Sequence, residues 1–307
     1  MRTARMILLL DRAESAPIRP AAAVIGLCAA VSLLLGPAAQ DAKACTLWGE
    51  AGTNATGTII SKNRDWEPNQ TQILKMHRTS TGYAYFGLYA EGGEKPGLKQ
   101  GVNEMGLTVV TAAASSLPKE LRDAETDRHG VLGLLLSGYA TCDEVLAKKE
   151  TIFPKCRAGF IMISDREKIL VVETGLHGRY AVRTVENGPA THTNHYLEKS
   201  LDDFNIKIGS SSATRLARVT DLLRASPAPC DTATFAAISR DQHDGPNNSL
   251  WRTGKGIRTM SSWIVETPAE GAPKLRVVLA NPGEAEMTNT FVLDKKFWKE
   301  GPASQRD

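Results

Sequence analysis

One junction limits what this chain can fold into. Ala21 to Leu35 form an apolar run with arginines ahead of it and Pro37 behind it, and Ala42-Lys43-Ala44 then leads into Cys45. A basic leader, an apolar core and small residues at alternate positions are what signal peptidase reads, so a cut is expected after Ala44. The run is 15 residues long, short of the roughly 20 that span a bilayer. Residues 1–44 are therefore expected to leave as a signal peptide, and 45–307 to fold as a single domain that begins on a cysteine. Such a cysteine carries a thiol and a free α-amine on one residue. The amine titrates roughly near pH 8 and the thiol near 8.5, so the amine can take the thiol's proton with little driving force against it.

The charge balance is consistent with this division. The leader holds five of the 37 basic and three of the 34 acidic residues, which leaves 32 and 31 in the remainder. A nearly neutral remainder argues against nucleic acid or an anionic membrane as partner. A periplasmic or secreted location is expected, with no membrane attachment after processing. Cys45, Cys142, Cys156 and Cys230 remain once Cys28 has left. In an oxidising compartment Cys142 and Cys156 either close a short disulfide loop or stay as buried thiols, and both readings stay open. Their spacing fits no metal site, and no cofactor is implied.

Hydrophobic periodicity reads as strands, helix, strands, helices, strands. Strands are expected at 56–65, 72–76, 83–89, 107–111, 180–182, 190–196, 259–265, 275–279 and 290–293, with a hairpin of 160–163 and 169–172 about the turn Ser164 to Lys168. Residues 91–97 read as a loop and 101–107 as a tight turn. Helical spacing appears over Gly130 to Lys149, Ser212 to Leu223 and Thr232 to Ile238. This order fits two mainly antiparallel sheets with helices outside, an α+β class, rather than the alternation of a parallel sheet.

An N-terminal nucleophile needs its amine held, donors for an oxyanion, and an ordering charge. A strand that starts at Cys45 and returns through a hairpin brings Asp65, in Lys62-Asn63-Arg64-Asp65-Trp66, alongside it. Its carboxylate suits the amine. Asn194, in Thr191-His192-Thr193-Asn194-His195, can donate to an oxyanion. Arg215 lies one helical turn from Arg218, which reads as an exposed-face residue. Each segment alone also reads as turn chemistry or a solvated face. His192 or His195 offers a second reading, in which Cys45 works with a histidine as in papain.

Taken in order, Cys45, Asn63-Arg64-Asp65-Trp66, Gly101-Val102-Asn103-Glu104-Met105-Gly106-Leu107, Thr193-Asn194-His195 and Ser212 to Arg215 resemble the motif series of the cysteine N-terminal-nucleophile (Ntn) hydrolases. That superfamily includes penicillin V acylase, choloylglycine hydrolase and the penicillin acyltransferases. Asp241-Gln242-His243-Asp244-Gly245 and Leu279-Ala280-Asn281-Pro282 are more similar to the acyltransferase branch. The resemblance covers the whole chain after the leader. It implies a four-layer αββα sandwich and cleavage of a linear, non-peptide amide in a small-molecule substrate. Cys45 would be the nucleophile, Asp65 would orient its amine, Asn194 would be an oxyanion donor and Arg215 an ordering charge. Lys62, Arg64 and Ala113 would line the substrate site.

Two departures stand out. Where the bile-salt hydrolases carry Arg-Asn-x-Asp, this chain has Lys62, a point charge in place of a bidentate fork. Where they place a polar side chain after the strand that follows Gly-x-Asn-Glu, it has Thr111-Ala112-Ala113-Ala114, so any donor there must be a backbone N–H. Hydrolysis and acyl transfer both stay open, with water the abundant acceptor in a dilute compartment. Oligomeric state is left open. The rival from another class is a lipid-anchored or ligand-binding protein in which Cys45 is only an anchor. Intact mass and N-terminal sequencing of exported protein are expected to show a chain starting at an unmodified Cys45. A lipid adduct there would establish the anchor instead.

Overall fold

The computed structural model describes residues 44–52, 56–125 and 130–302. The expected leader lies outside them. Among the described residues, thirteen strands form two antiparallel sheets. The first, of six strands, comprises β1 (Cys45–Ala51), β2 (Thr58–Trp66), β10 (Gly188–His192), β11 (Arg258–Thr267), β12 (Lys274–Leu279) and β13 (Met287–Val292), in the order β10-β1-β2-β11-β12-β13. The second is a seven-stranded meander. It runs β3 (Thr71–His77), β4 (Tyr85–Glu91), β5 (Gly97–Asn103), β6 (Thr108–Ala113), β7 (Gly159–Ser164), β8 (Ile169–Thr174) and β9 (Tyr180–Val185). The helices are α1 (Lys119–Ala124), α2 (Leu132–Gly138), α3 (Cys142–Ala147), α4 (Lys149–Ile152), α5 (Ser210–Ala225), α6 (Thr232–Ser239), α7 (Gly245–Asn248) and α8 (Lys295–Glu300).

Strand alternation sorts the apolar side chains into three cores. Leu47, Ile60, Phe86, Val110, Met162 and Trp263 meet between the sheets. Their neighbours Trp48, Ile59 and Ile264 point the other way, onto Val219 of α5 and Phe235 of α6. Val109, Ile163 and Leu170 pack beneath Leu135 of α2 and Val145 of α3 on the far side of the second sheet. Three cores separate four layers, helix on sheet on sheet on helix. β1 and β2 are covered on both faces and buried along nearly their whole length, so the polar run Ser61 to Asp65 of β2 is buried along with the apolar residues. The sheets approach so closely at Gly49 that an added Cβ would stand 2.8 Å from Ile169 Cδ1.

Several motif residues prove to be joints of the fold. Asn103 ends β5, and its Oδ1 accepts from the backbones of Met105 (3.1 Å) and Leu107 (2.9 Å) while its Nδ2 donates to the carbonyls of Leu136 (2.9 Å) and Tyr139 (2.8 Å). One side chain thus closes the β5–β6 turn and docks α2 on it; Gly106, at φ +92°, supplies the left-handed residue. Asn281 follows β12 in the first sheet and pairs with the backbone of Gln72 in the second, accepting at 2.6 Å and donating at 3.2 Å. Asp241 accepts from Arg218 of α5 at 2.6 Å, so Arg218 belongs to a surface ion pair.

Two stretches differ from the sequence reading. Residues 97–103 form β5 rather than a loop and turn, because Gly101 acts there as a strand glycine. A Cβ at Gly101 would meet Leu136 Cδ1 at 2.7 Å, so the glycine makes room for α2. The strand expected over 190–196 leaves the sheet after His192. There Thr193 Oγ1 and the Asn194 N–H turn to Ser212, donating to its carbonyl and hydroxyl oxygens at 3.0 and 2.9 Å. Cys142 and Cys156 are buried free thiols, 0% and 5% exposed, which decides the question of a disulfide between them. Helices α1 and α8 were too short to show a period. Replacing Asn103 with Ala leaves two carbonyls and two N–H groups unpaired, and is expected to cost about 3 kcal/mol in urea unfolding. A cost below about 1 kcal/mol would show that the joint is dispensable.

Candidate active site

The register of the first hairpin places the site. Cys45 faces Arg64 across β1–β2 and Leu47 faces Lys62, so these four side chains share the layer between the sheets. Asn63 and Asp65 project to the opposite face, toward the helices. Asn63 Nδ2 donates there to the carbonyls of Ser239 and Leu250, both at 2.8 Å. The Asp65 N–H donates to the Ala44 carbonyl at 3.0 Å, which brings Asp65 beside the Ala44–Cys45 peptide. A β-bulge between Thr259 and Ser261 of β11 lies across from it, and Thr259 Oγ1 donates to Asp65 Oδ1 at 2.8 Å. Asp65 Oδ2 is buried without a partner. Burial pushes this carboxyl above its usual range, while Arg215, Arg252, the Thr259 bond and Arg64 pull it back.

Asn194 and Arg215 converge on Cys45 from another direction. The Cys45 N–H donates to Asn194 Oδ1 at 3.0 Å. Arg215 Nη1 donates to the Cys45 carbonyl and to Thr46 Oγ1, both at 2.7 Å, and its Nη2 to the same Asn194 Oδ1 at 2.9 Å. Asn194 Nδ2 donates to the Ala113 carbonyl at 2.9 Å, which uses one of its two hydrogens. Arg215 is wholly buried because the inward stripe of α5 is Ser212, Arg215, Val219 and Leu223, rather than the Leu216 stripe that hydropathy suggests. Desolvation lowers its guanidinium to about 10, against the opposing pull of Asp65. The four sequence candidates Cys45, Asp65, Asn194 and Arg215 thus lie in one cluster, and Ala113 borders it.

Two further cations face the thiol. Lys62 is 2% exposed, and its Nζ donates to the Lys99 carbonyl at 2.9 Å. Burial brings this ammonium down to about 7, with Arg64 and Lys99 adding to the effect and Cys45 and Asp65 opposing it. Arg64 is lowered to about 10, again by burial. The histidines are engaged elsewhere. His192 sits between the Thr193 carbonyl at 3.2 Å and Glu173 Oε1 at 3.0 Å, and His195 Nδ1 lies 2.8 Å from Ser212 Oγ. Trp48 belongs to the core under α6. Thr259, Arg252 and Gln70 also reach the cluster. No spacing in the sequence marks them, because each comes from a different strand or loop. Among the described residues no group of His, Cys, Asp and Glu has a metal-binding arrangement.

The sequence profile of the acyl-coenzyme A:6-aminopenicillanic acid acyl-transferase family matches residues 52–284, about three quarters of the chain. The chain belongs to this family. Its fold is similar to that of conjugated bile acid hydrolase from Clostridium perfringens in two crystal structures. An arginine-to-leucine variant aligns at a TM-score of 0.53 and 15% identity over 83% of this chain and 95% of that one. A cysteine-to-alanine mutant aligns at 0.50 and 15% over 80% and 92%. At that identity the likeness is one of fold, the Ntn-hydrolase αββα sandwich. No curated protein sequence matches the chain significantly.

Lys62 provides a test of the site's electrostatics. A lysine that titrates near 7 when folded and at 10.5 when unfolded binds fewer protons in the folded chain across that window. Its contribution to stability therefore rises as pH climbs from about 7 toward 10.5, and its full cost is present below about 7. Lys62→Met is expected to remove this slope and to raise stability at pH 6 by on the order of 1–3 kcal/mol in urea unfolding. A variant less stable than the parent at pH 6 would show that the ammonium is held by a counter-charge.

Proposed function

We propose that residues 1–44 direct export and are removed after Ala44, and that the domain 45–307 is an N-terminal cysteine amidohydrolase of the periplasm or exterior, acting on a linear small-molecule amide. One observation carries the reading: the Cys45 backbone nitrogen is held by a side-chain oxygen, Asn194 Oδ1, which Arg215 in turn fixes. A strand nitrogen in mid-sheet ordinarily pairs with a neighbouring strand. Here it meets a side chain suited to a free amine, with the unpartnered Asp65 Oδ2 on the residue bonded to Ala44.

Once Ala44 is gone, Asn194 Oδ1 and Asp65 hold the α-amine, and an ammonium beside Asp65 offsets the burial that disfavours its carboxylate. The amine takes the Cys45 proton, and the thiolate attacks the amide carbonyl to form a C–S bond. The second hydrogen of Asn194 Nδ2 and backbone N–H groups near Ala113 stabilise the oxyanion. The ammonium returns its proton to the leaving nitrogen as the C–N bond breaks, leaving a thioester. Water, deprotonated by the same amine, adds to the thioester; the C–S bond breaks and the thiol is restored. An amine in place of water gives acyl transfer, the activity for which the family is named. Arg215 keeps Cys45 and Asn194 in register. Burial of Cys45 at the start of a central strand argues against the anchor reading, in which the thiol would be exposed to carry a lipid.

The mature chain with Cys45→Ala is expected to lose at least about 1,000-fold in turnover while keeping its circular dichroism, and Cys45→Ser to be strongly impaired. Acid quenching is expected to trap an acyl adduct on the Cys45 peptide. A chain extended by a few residues before Cys45 is expected to be inactive. Activity that survives the extension would point to a papain-like use of His192 or His195, and activity that survives Cys45→Ala would overturn the mechanism.

A further inference from the structure

Beside the nucleophile lies a charge that the reaction above does not use. Arg64 stands opposite Cys45 on the inter-sheet face and is 2% exposed. Its Nη2 donates to Gln70 Oε1 at 2.5 Å, its guanidinium lies 4.9 Å from the centroid of Trp66, and its Nη1 is buried without a partner. Gln70 is anchored from behind, donating to the carbonyls of Gly92 at 3.0 Å and Glu94 at 2.6 Å, so one arm of the fork is fixed. Gln100 of β5 pairs with Leu88 and Val110, whose side chains lie in the inter-sheet core. It is fully buried, and both its amide atoms lack partners. It also follows Lys99, whose carbonyl Lys62 holds. The carboxylate next in sequence to Arg64, that of Asp65, is on the opposite face of β2.

Buried donors left unpaired are costly, and native structures keep few of them. A free guanidinium nitrogen and an unpaired amide in the layer that holds the thiol indicate polar groups supplied from outside the chain. Resting on the reading of Cys45 as nucleophile, we propose that Arg64 determines specificity by receiving a carboxylate of the substrate, with Gln100 lining the same subsite. Arginine suits the task because its weakly hydrated, planar fork forms strong charge-assisted bonds to carboxylates. Cross-strand neighbours have Cβ atoms only about 5 Å apart. The carboxylate therefore sits a few bonds from the scissile carbonyl, within reach of one arginine stem, and not at the end of a long chain. The substrate class is a short linear amide that carries a carboxylate on its acyl or its amine side.

Three matched amides test this on the mature chain: N-propylbutyramide, N-propylglutaramate with a carboxylate ending the acyl chain, and N-butyryl-β-alanine with one ending the amine. One of the two acids is expected to exceed the neutral amide by roughly 10- to 100-fold in kcat/KM, and the one that does identifies the side. In Arg64→Met that ratio is expected to fall below about 3 whatever the absolute rates. Arg64→Lys is expected to keep part of it with a raised KM. If Arg64→Met does not fold, Arg64→Gln serves as the neutral variant. Turnover of the neutral amide with no preference for either acid overturns the proposal while leaving the nucleophile intact. A preference that persists without the arginine overturns it too. Should all three turn over slowly, calorimetric binding to Cys45→Ala, with and without Arg64→Met, makes the same comparison. Turnover that survives Cys45→Ala would instead mark failure of the nucleophile reading.

Discussion

Everything in the site depends on a cation that has no contact with water. Arg215 is wholly buried, and its two terminal nitrogens hold the Cys45 carbonyl, the Thr46 hydroxyl and the Asn194 side-chain oxygen at 2.7 to 2.9 Å. A guanidinium in that position is costly to desolvate, which is why it is lowered to about 10. The cost is offset by three oxygen acceptors and by the field of Asp65 across the strand. In exchange, the first residue of β1 and the loop after β10 occupy fixed positions. An active site assembled from separate strands needs such a brace, because side chains misplaced by an ångström lose much of their catalytic effect.

The two faces of β2 divide the chemistry. Toward the sheets stand Lys62 and Arg64 with the thiol. Toward the helices stand Asn63 and Asp65, on the side from which α5 brings in Arg215. The division follows from the two-residue period of a strand, so five consecutive residues serve two environments. The thiol therefore sees two desolvated cations on its own face, while the carboxylate beside the Ala44–Cys45 peptide is kept on the other. If Asp65 shared a face with Lys62 and Arg64, it would pair with them.

Several motifs that accompany Cys45 in the sequence act at a distance. Asn103 closes a turn and docks α2, Asn281 clasps one sheet to the other, and Asp241 pairs with Arg218 on the outside of α5. They shape the sandwich whose inter-sheet layer holds the Cys45 side chain. The family profile starts at residue 52, beyond Cys45, and so rests on this framework as well as on the site.

The sequence by itself determined the alternation of buried strands, the helix stripes and the order of the motifs. These are local properties: a strand repeats every two residues and a helix every 3.6, whatever surrounds them. The hairpin that carries Asp65 back beside Cys45 is local in the same sense. Tertiary structure decided the rest. The bond between the Cys45 nitrogen and Asn194 spans 149 residues of chain. Whether Arg215 or Leu216 faced inward depended on what lay beneath α5, and hydropathy favours the leucine. Gly101 read as the start of a turn because the helix pressing on that strand was not visible. Gln100 comes into the layer that holds Arg64 from the other sheet. Such contacts are set by how layers stack, and no period along the chain encodes them.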